Sequence, residues 1–137
     1  MHAHDMISTH PHVRGNVNAA LVRAIEAAYD CAQACTACAD ACLGEKMVAD
    51  LTQCIRFNMD CADVCAATGR VASRRTGSNE LIIRQMLEVC AEACRLCGEE
   101  CASHASMHEH CRVCAEACRS CETACREAAR SVTPRMQ

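Results

Sequence analysis

A twelve-residue pattern of cysteines occurs three times and constrains the fold of this chain more than any other feature. The copies are CAQACTACADAC at 31–42, CAEACRLCGEEC at 90–101 and CAEACRSCETAC at 114–125. Each copy spaces its cysteines by 4, 3 and 4 residues. Because an α-helix advances about 100° per residue, these steps place the four side chains within about 60° of one another. Each copy therefore predicts one helix that carries a single stripe of thiols.

A fourth, degenerate copy reads CIRFNMDCADVC and lies at 54–65. Asn58 stands where its remaining cysteine would be. In the last copy, Cys111 comes three residues before the pattern and extends that stripe by one turn. Four helical units thus account for most of the chain, and the stripe of the second unit is interrupted at Asn58.

Capping residues and turns indicate where the helices begin and end. Asn16 or Asn18 is suited to cap a first helix, which ends before Gly44. The other predicted segments are a second helix from about 45 to about 72, a polar turn at 73–79, a third helix from about 80 towards 104, a turn at 104–110 and a fourth helix to about 131, before Pro134.

Short connections between long helices favour antiparallel neighbours. We therefore predict an all-α fold, an antiparallel four-helix bundle with a cysteine-lined core. In this prediction residues 14–132 form a single domain. Residues 1–13 lack helical periodicity and are expected to form a flexible tail that contains histidines and methionines.

The polar residues of the repeats indicate which way the thiols face. Aromatic residues make up only 1% of the chain, so cysteine and alanine must supply most of the core volume. Charged and polar side chains occupy the helix sides away from the thiols, namely Gln33, Asp40, Glu92, Arg95, Glu99, Glu116, Arg119, Glu122 and Arg126. The thiols are therefore expected to face inward.

The sixteen cysteines are not expected to form disulfides. The N-terminal stretch has no apolar core typical of an export signal, and no apolar run is long enough to span a membrane. We therefore expect a cytoplasmic protein with reduced thiols. A bridge between cysteines three or four residues apart would also strain a regular helix. The few arginines near the 73–79 turn have no aromatic partners and do not indicate nucleic-acid binding.

Charge balance indicates which metal a core of inward thiols would bind. A thiol must lose its proton to bind a metal, so sixteen thiolates would create sixteen buried negative charges. Four zinc ions with four ligands each would leave a charge of about −8, and unpaired buried charge is costly. One Cu(I) per thiolate would neutralise the core, and soft thiolates also favour Cu(I). The sequence therefore predicts that many Cu(I) ions bind in the core.

Three alternatives remain open at this stage. A zinc or general heavy-metal buffer would saturate at about one ion per four cysteines. An iron–sulfur or other redox protein would hold one or two clusters of fixed composition, although such clusters are usually wrapped by loops. Cysteine could also act only as a small apolar residue that fills the core.

One end of the predicted bundle offers neutral ligands, which hold Cu(I) less firmly than thiolates do. Steps of 3 and 4 beyond Cys101 reach His104 and His108, and Met47 lies seven residues before Cys54. We predict that copper enters at this end. At the other end the stripes run into apolar residues that should close the core, namely Leu21, Ala24, Ile25, Ala28, Val71, Ile83, Met86, Leu87 and Ala128.

The three CxxxCxxCxxxC repeats together with His104 and His108 resemble those of the bacterial cytosolic copper storage proteins, over roughly residues 17–130. This resemblance implies storage or detoxification of cytosolic copper by a homotetramer of Cys-rich bundles. It leaves a copper chaperone as a candidate partner. Asn58 departs from the internal pattern and puts in doubt a continuous set of Cu(I) sites at its level.

No catalytic constellation or phosphate-binding loop is present in the sequence, so we expect a binding protein and not an enzyme. The predicted metal ligands are His104, His108, Met47, Cys31, Cys35, Cys38, Cys42, Cys54, Cys61, Cys65, Cys90, Cys94, Cys97, Cys101, Cys111, Cys114, Cys118, Cys121 and Cys125.

Overall fold

The computed structural model describes residues 1–133, and all regular structure in that range is helical. The elements are α1 (Ala3–Ser8), α2 (Ala19–Leu43), a 3₁₀ helix (Val48–Leu51), α3 (Thr52–Ser73), α4 (Glu80–Ser103) and α5 (Glu109–Ser131). The predicted all-α class is therefore confirmed. Pro134, which was expected to follow the last helix, lies outside the described residues.

Three of the four long helices begin and end close to the predicted positions. The side chain of Asn18 accepts a hydrogen bond of 3.1 Å from the backbone N–H of Leu21, which caps α2. Gly44 follows the last residue of that helix. Helix α4 begins directly after Asn79, as expected from the polar turn before it. Local capping and turn residues were sufficient to predict these ends.

The second predicted helix begins later than expected. We predicted a helix from about residue 45, but Val48–Leu51 form a 3₁₀ helix and α3 starts only at Thr52. Leu51 is buried in the core at this point. The tighter 3₁₀ turn changes the direction of its side chains relative to an α-helix, so the cysteine stripe of α3 cannot be extended back to Met47.

The four long helices pack in a closed order. Helix α2 packs against α3 and α5, and helix α4 packs against the same two. One continuous core contains the cysteines of all four helices together with alanines and a few larger apolar residues. Each thiol stripe therefore faces the stripes of its two neighbours.

Two glycines allow neighbouring helices to approach closely. A Cβ atom at Gly98 of α4 would lie 3.2 Å from the Cβ of Cys118 on α5. A Cβ atom at Gly69 of α3 would lie 2.8 Å from Cζ of Tyr29 on α2, closer than real Cβ contacts. With small residues at such contacts, sulfur atoms from facing helices can come within a few ångströms of one another.

The first thirteen residues, expected to be a flexible tail, contain a short helix. Helix α1 packs against α2, and its residue Ile7 is only 5% exposed within the main core. Burial of one isoleucine side chain contributes about 2 kcal/mol. A helix of six residues carries too few apolar positions to show periodicity, so the sequence analysis did not anticipate it.

The outer surface of the long helices is polar and linked by ion pairs. Arg95 pairs with Glu92 and, at 3.2 Å, with Glu99 on α4. Arg126 of α5 pairs with Glu122 at 2.8 Å and with Glu92 of the neighbouring helix at 3.7 Å. Among the described residues, no helix combines the length and the apolar character needed to cross a membrane.

Candidate metal centre

All sixteen cysteines are free thiols and all are buried. Their exposed fractions range from 0 to 2%. The prediction that the thiols face inward is therefore confirmed, and the cysteines are not joined as disulfides. A buried thiol that forms no disulfide is available to bind a metal once it loses its proton.

The sulfur atoms form a connected network along the core axis. Sulfurs on different helices approach each other closely, as in Cys65 to Cys90 at 3.6 Å and Cys31 to Cys118 at 3.8 Å. Within one helix, Cys61 lies 3.8 Å from the sulfur of Cys65. These distances are too long for a disulfide, which is about 2.05 Å, and short enough for one metal ion to reach both sulfurs.

The thiols fall into groups whose ligand atoms all lie within 4.8 Å of one another, and these groups share members. Cys31, Cys35 and Cys118 each belong to at least two groups, as do Cys38 and Cys114. The groups include Cys31/Cys65/Cys94/Cys121, Cys31/Cys35/Cys61/Cys118, Cys35/Cys97/Cys114/Cys118, Cys38/Cys42/Cys54/Cys111 and Cys38/Cys101/Cys114. The core is therefore one chain of overlapping sites and not a set of separate four-cysteine sites.

Asn58 is buried among the thiols at the interrupted position of the α3 stripe. Its Oδ1 atom accepts hydrogen bonds from Cys97 at 2.9 Å, Cys114 at 3.2 Å and Cys101 at 3.4 Å. Its Nδ2 atom donates to the sulfur of Cys54 at 3.6 Å. The amide thus replaces a metal ligand with a hydrogen-bonding group at this level of the core.

The thiols near the end of the core that lies beside Gly44 differ in acidity. Hydrogen bonds from Cys101 and Cys38, aided by the charge of His104, lower the pKa of Cys54 to about 3. Burial and the negative charge of Cys54 raise the pKa of Cys42 to about 11 and that of Cys111 to about 12. One thiolate with protonated neighbours is the arrangement expected before metal binds.

Three histidines and one glutamate surround this end of the core, which we call the mouth (Glu45, His104, His108 and His110). The Nδ1 atom of His108 lies 2.6 Å from Oε2 of Glu45, and Nε2 of His110 lies 3.0 Å from the same oxygen. The connection before α5 and the connection after Gly44 therefore meet at this end of the core. The two rings of His108 and His110 stack, with centroids 5.5 Å apart.

His110 is the mouth histidine that contacts thiols most closely, and the sequence analysis missed it. Its Nδ1 atom lies 3.4 Å from the sulfur of Cys38 and 3.7 Å from that of Cys111. We had assigned residue 110 to a turn, but α5 already begins at Glu109. The signal was present, because His110 lies four residues before Cys114 and so occupies the next step of the stripe.

His104 and Met47 occupy less direct positions than predicted. His104 ends α4, is half-buried, and its Nε2 atom lies 2.7 Å from Oε2 of Glu100. Met47 precedes the 3₁₀ helix and is 53% exposed. The premise that placed Met47 on the α3 stripe, a continuous helix from about residue 45, is wrong.

The opposite end of the core is closed by apolar side chains. Leu21 and Ile25 of α2 and Ile83 and Leu87 of α4 are almost completely buried there. Met86 and Val71, which we had included in the same group, are only half-buried. The residues Asn18 and Ser131 hydrogen-bond at 3.1 Å beyond this apolar layer and link α2 to α5.

An all-helical bundle with a continuous buried array of free thiols defines the class of metal-sequestering proteins. The copper storage protein family model matches residues 17–130, and the chain belongs to that family. It is a copper storage protein, as the sequence predicted.

Solved structures of other copper storage proteins resemble this chain closely. One is Ccsp from Streptomyces lividans loaded with 10 copper equivalents, which is 57% identical, has a TM-score of 0.89 and covers 96% of this chain and 99% of its own. A cytosolic copper storage protein from Streptomyces lividans with five coppers is 63% identical over 82% of this chain and 93% of its own, with a TM-score of 0.80. The Cu(I)-bound copper storage protein BsCsp3 is 37% identical over 77% of this chain and 94% of its own, with a TM-score of 0.69.

Proposed function

We propose that the protein stores copper in the cytosol as Cu(I), bound by thiolates along the whole core. The observation that carries this proposal is the array of sixteen buried thiols in overlapping groups. Sixteen thiolates require about sixteen positive charges for neutrality, and Cu(I) supplies one for each thiolate. The similar chains with copper bound, one of them as Cu(I), support the same metal.

The sharing of thiols between groups favours Cu(I) over zinc. A structural zinc site uses four ligands of its own, whereas Cys31 and Cys118 each serve two groups here. A shared thiolate must bridge two ions. Sulfurs 3.6–4.0 Å apart would allow one ion to bind both members of a pair. Bridged clusters of a soft monovalent ion therefore fit the core better than isolated tetrahedral sites.

We further propose that the four long helices form an antiparallel four-helix bundle and that residues 14–132 act as one domain. Three observations support this arrangement. The connections between successive helices are short. The closed packing order is that of a bundle. The mouth and the apolar end lie at opposite ends of the thiol array, because His110 contacts Cys38 while Leu87 and Ile83 lie beyond Cys90.

The ligands in this proposal are the sixteen core cysteines, with His110, His108 and His104 serving entry at the mouth. Imidazole is neutral and binds Cu(I) less firmly than a thiolate, which suits a position where ions arrive and leave. Met47 is at most a peripheral contact, since its side chain points largely to solvent. Copper should enter only at the mouth, because the other end is closed by apolar residues.

By its resemblance to the copper storage proteins, we also propose a homotetramer that exchanges copper with a chaperone. The cytosolic assignment rests on the reduced state of the buried thiols and on the similar cytosolic protein from Streptomyces lividans.

Anaerobic titration of the reduced protein with Cu(I), against a competing chelator, tests the storage proposal. Uptake should continue to about one ion per cysteine, since charge neutrality sets the endpoint. A parallel titration with zinc should saturate at about four ions and should be reversed by Cu(I). An endpoint below about six Cu(I) ions would contradict storage and favour a few fixed sites.

A further inference from the structure

The carboxylate of Glu45 contacts two mouth histidines at once. Its Oε2 atom lies 2.6 Å from Nδ1 of His108 and 3.0 Å from Nε2 of His110. Glu45 directly follows the end of α2, where its backbone N–H donates to the carbonyl of Cys42 at 3.2 Å. The carboxylate is thus anchored next to one of the core thiols.

We propose that Glu45 is a positioning residue that sets the tautomers of His108 and His110, so that each ring presents an unprotonated nitrogen to incoming Cu(I). This inference rests on the proposed storage function. Glu45 itself need not touch the metal, because it acts through the two rings.

The charge of Glu45 decides which ring nitrogens carry a proton. The carboxylate of Glu45 is partly exposed to solvent, and a glutamate in water is ionised at neutral pH. An ionised carboxylate has no proton to donate and can only accept hydrogen bonds. Each histidine nitrogen that contacts it must therefore carry the proton.

The position of that proton fixes the other nitrogen of each ring. In a neutral imidazole one nitrogen is a donor and the other has a free lone pair. His110 donates through Nε2, so the lone pair is on Nδ1, which faces Cys38 at 3.4 Å and Cys111 at 3.7 Å. His108 donates through Nδ1, so its lone pair is on Nε2.

The contacts of His110 with the thiols agree with this assignment. A protonated thiol can donate to the free Nδ1 atom, and the sulfurs of Cys38 and Cys111 both lie within reach of it. Cu(I) can then take the position of the thiol proton between sulfur and Nδ1. Hydrogen bonds from a carboxylate to the distal nitrogen of a metal-binding histidine orient the ring and raise its basicity in many metal sites.

A single carboxylate that serves two rings also fixes their relative placement. The rings stack with an interplanar angle of 21°, and the carboxylate, 32% exposed, lies beside both of them. Loss of Glu45 would leave both rings free to rotate and to change tautomer. The first copper ions should then find a correctly oriented donor less often.

The first experiment reads the tautomers without copper. Long-range ¹H–¹⁵N correlation spectra of the reduced protein should show His110 protonated at Nε2 and His108 protonated at Nδ1. In Glu45→Ala and Glu45→Gln, at least one of the two rings should lose this single tautomer. Glutamine is uncharged and carries an NH₂ donor in place of one carboxylate oxygen, so it holds the two ring protons less firmly. Unchanged spectra in both variants would overturn the proposal.

The second experiment measures copper transfer from a Cu(I)–chelator complex by stopped flow. Loss of a carboxylate behind a metal-binding histidine typically lowers metal affinity or activity 10–100-fold. Both variants should therefore take up the first ions at least about tenfold more slowly than the wild type. The final capacity should not change, because no core thiol is altered. Equal rates in wild type and both variants would also overturn the proposal.

The matched control is Glu99→Gln, which removes an exposed carboxylate on α4 that, within residues 1–133, pairs with Arg95 alone. This control should keep both tautomers and the wild-type rate. Circular dichroism of each variant checks that the fold is retained. A failure of copper storage would appear as a low capacity of the wild-type protein, whereas a failure of the Glu45 proposal would appear in the spectra of the copper-free protein, so the two are distinguishable.

Discussion

Asn58 gives the most direct test of whether each core thiolate accounts for one copper ion. The residue occupies a stripe position, is fully buried and hydrogen-bonds to four cysteine side chains. Replacing it with cysteine completes the fourth stripe and adds one thiol to sixteen. We expect Asn58→Cys to raise the Cu(I) capacity by about one ion, since one more charge must be neutralised.

The same position predicts a change in the stability of the copper-free protein. Asn58→Ala removes the acceptor for Cys97, Cys101 and Cys114 and leaves a small void. Loss of a buried hydrogen-bonding partner costs about 1–3 kcal/mol, so we expect a loss of about 2 kcal/mol. For a chain of this length that corresponds to a fall in Tm of about 6–10 °C. Asn58→Cys should lose less, because a thiol can both donate and accept hydrogen bonds.

Native mass spectrometry of the anaerobically loaded protein measures the capacity, and thermal unfolding of the reduced, copper-free protein measures the stability. Gln33→Cys serves as a control, because it adds a cysteine at an exposed position of α2. That thiol should not hold copper against a competing chelator. If Asn58→Cys binds no more copper than the wild type, or if Gln33→Cys gains as much, capacity is not set by the number of core thiolates.

Three further outcomes are expected. Replacing His104 and His108 with alanine should slow Cu(I) uptake several-fold while the capacity stays the same, and adding His110→Ala should slow uptake further. Stopped-flow transfer from a chelator measures both rates, and an unchanged rate in the triple variant would rule out the mouth as the entrance. Leu87→Ala should lower the stability of the copper-free protein by about 3 kcal/mol and its Tm by about 10 °C, because Leu87 is fully buried in the apolar end. Thermal unfolding measures the change, and a shift of only a degree or two would show that this end is loosely packed. Copper binding should release protons from thiols such as Cys111, whose pKa is raised to about 12. The apparent affinity for Cu(I) should therefore fall about tenfold per pH unit for each displaced proton as the pH is lowered. Chelator competition between pH 6 and 8 measures this slope, and an affinity that does not change with pH would contradict the prediction.

Much of the metal centre was accessible from the sequence because it depends on local periodicity. The 4, 3 and 4 spacing placed each group of cysteines on one face of a helix, and the polar residues between them showed which face is buried. Asn18 and Gly44 marked the ends of α2 for equally local reasons. The prediction of buried free thiols followed from these features and was confirmed.

The sequence by itself determined the helical stripes, their inward direction and the number of thiols, because each follows from the geometry of a single helix and from charge neutrality. Only the tertiary structure decided how the mouth is built and where the first residues pack. The 3₁₀ turn that leaves Met47 exposed, the anchoring of Ile7 against the core and the contact of His110 with Cys38 all depend on how separate segments meet in space. The joint contact of Glu45 with two histidines that lie more than sixty residues away is of the same kind, since no local pattern encodes which side chains from distant segments share one hydrogen-bond acceptor.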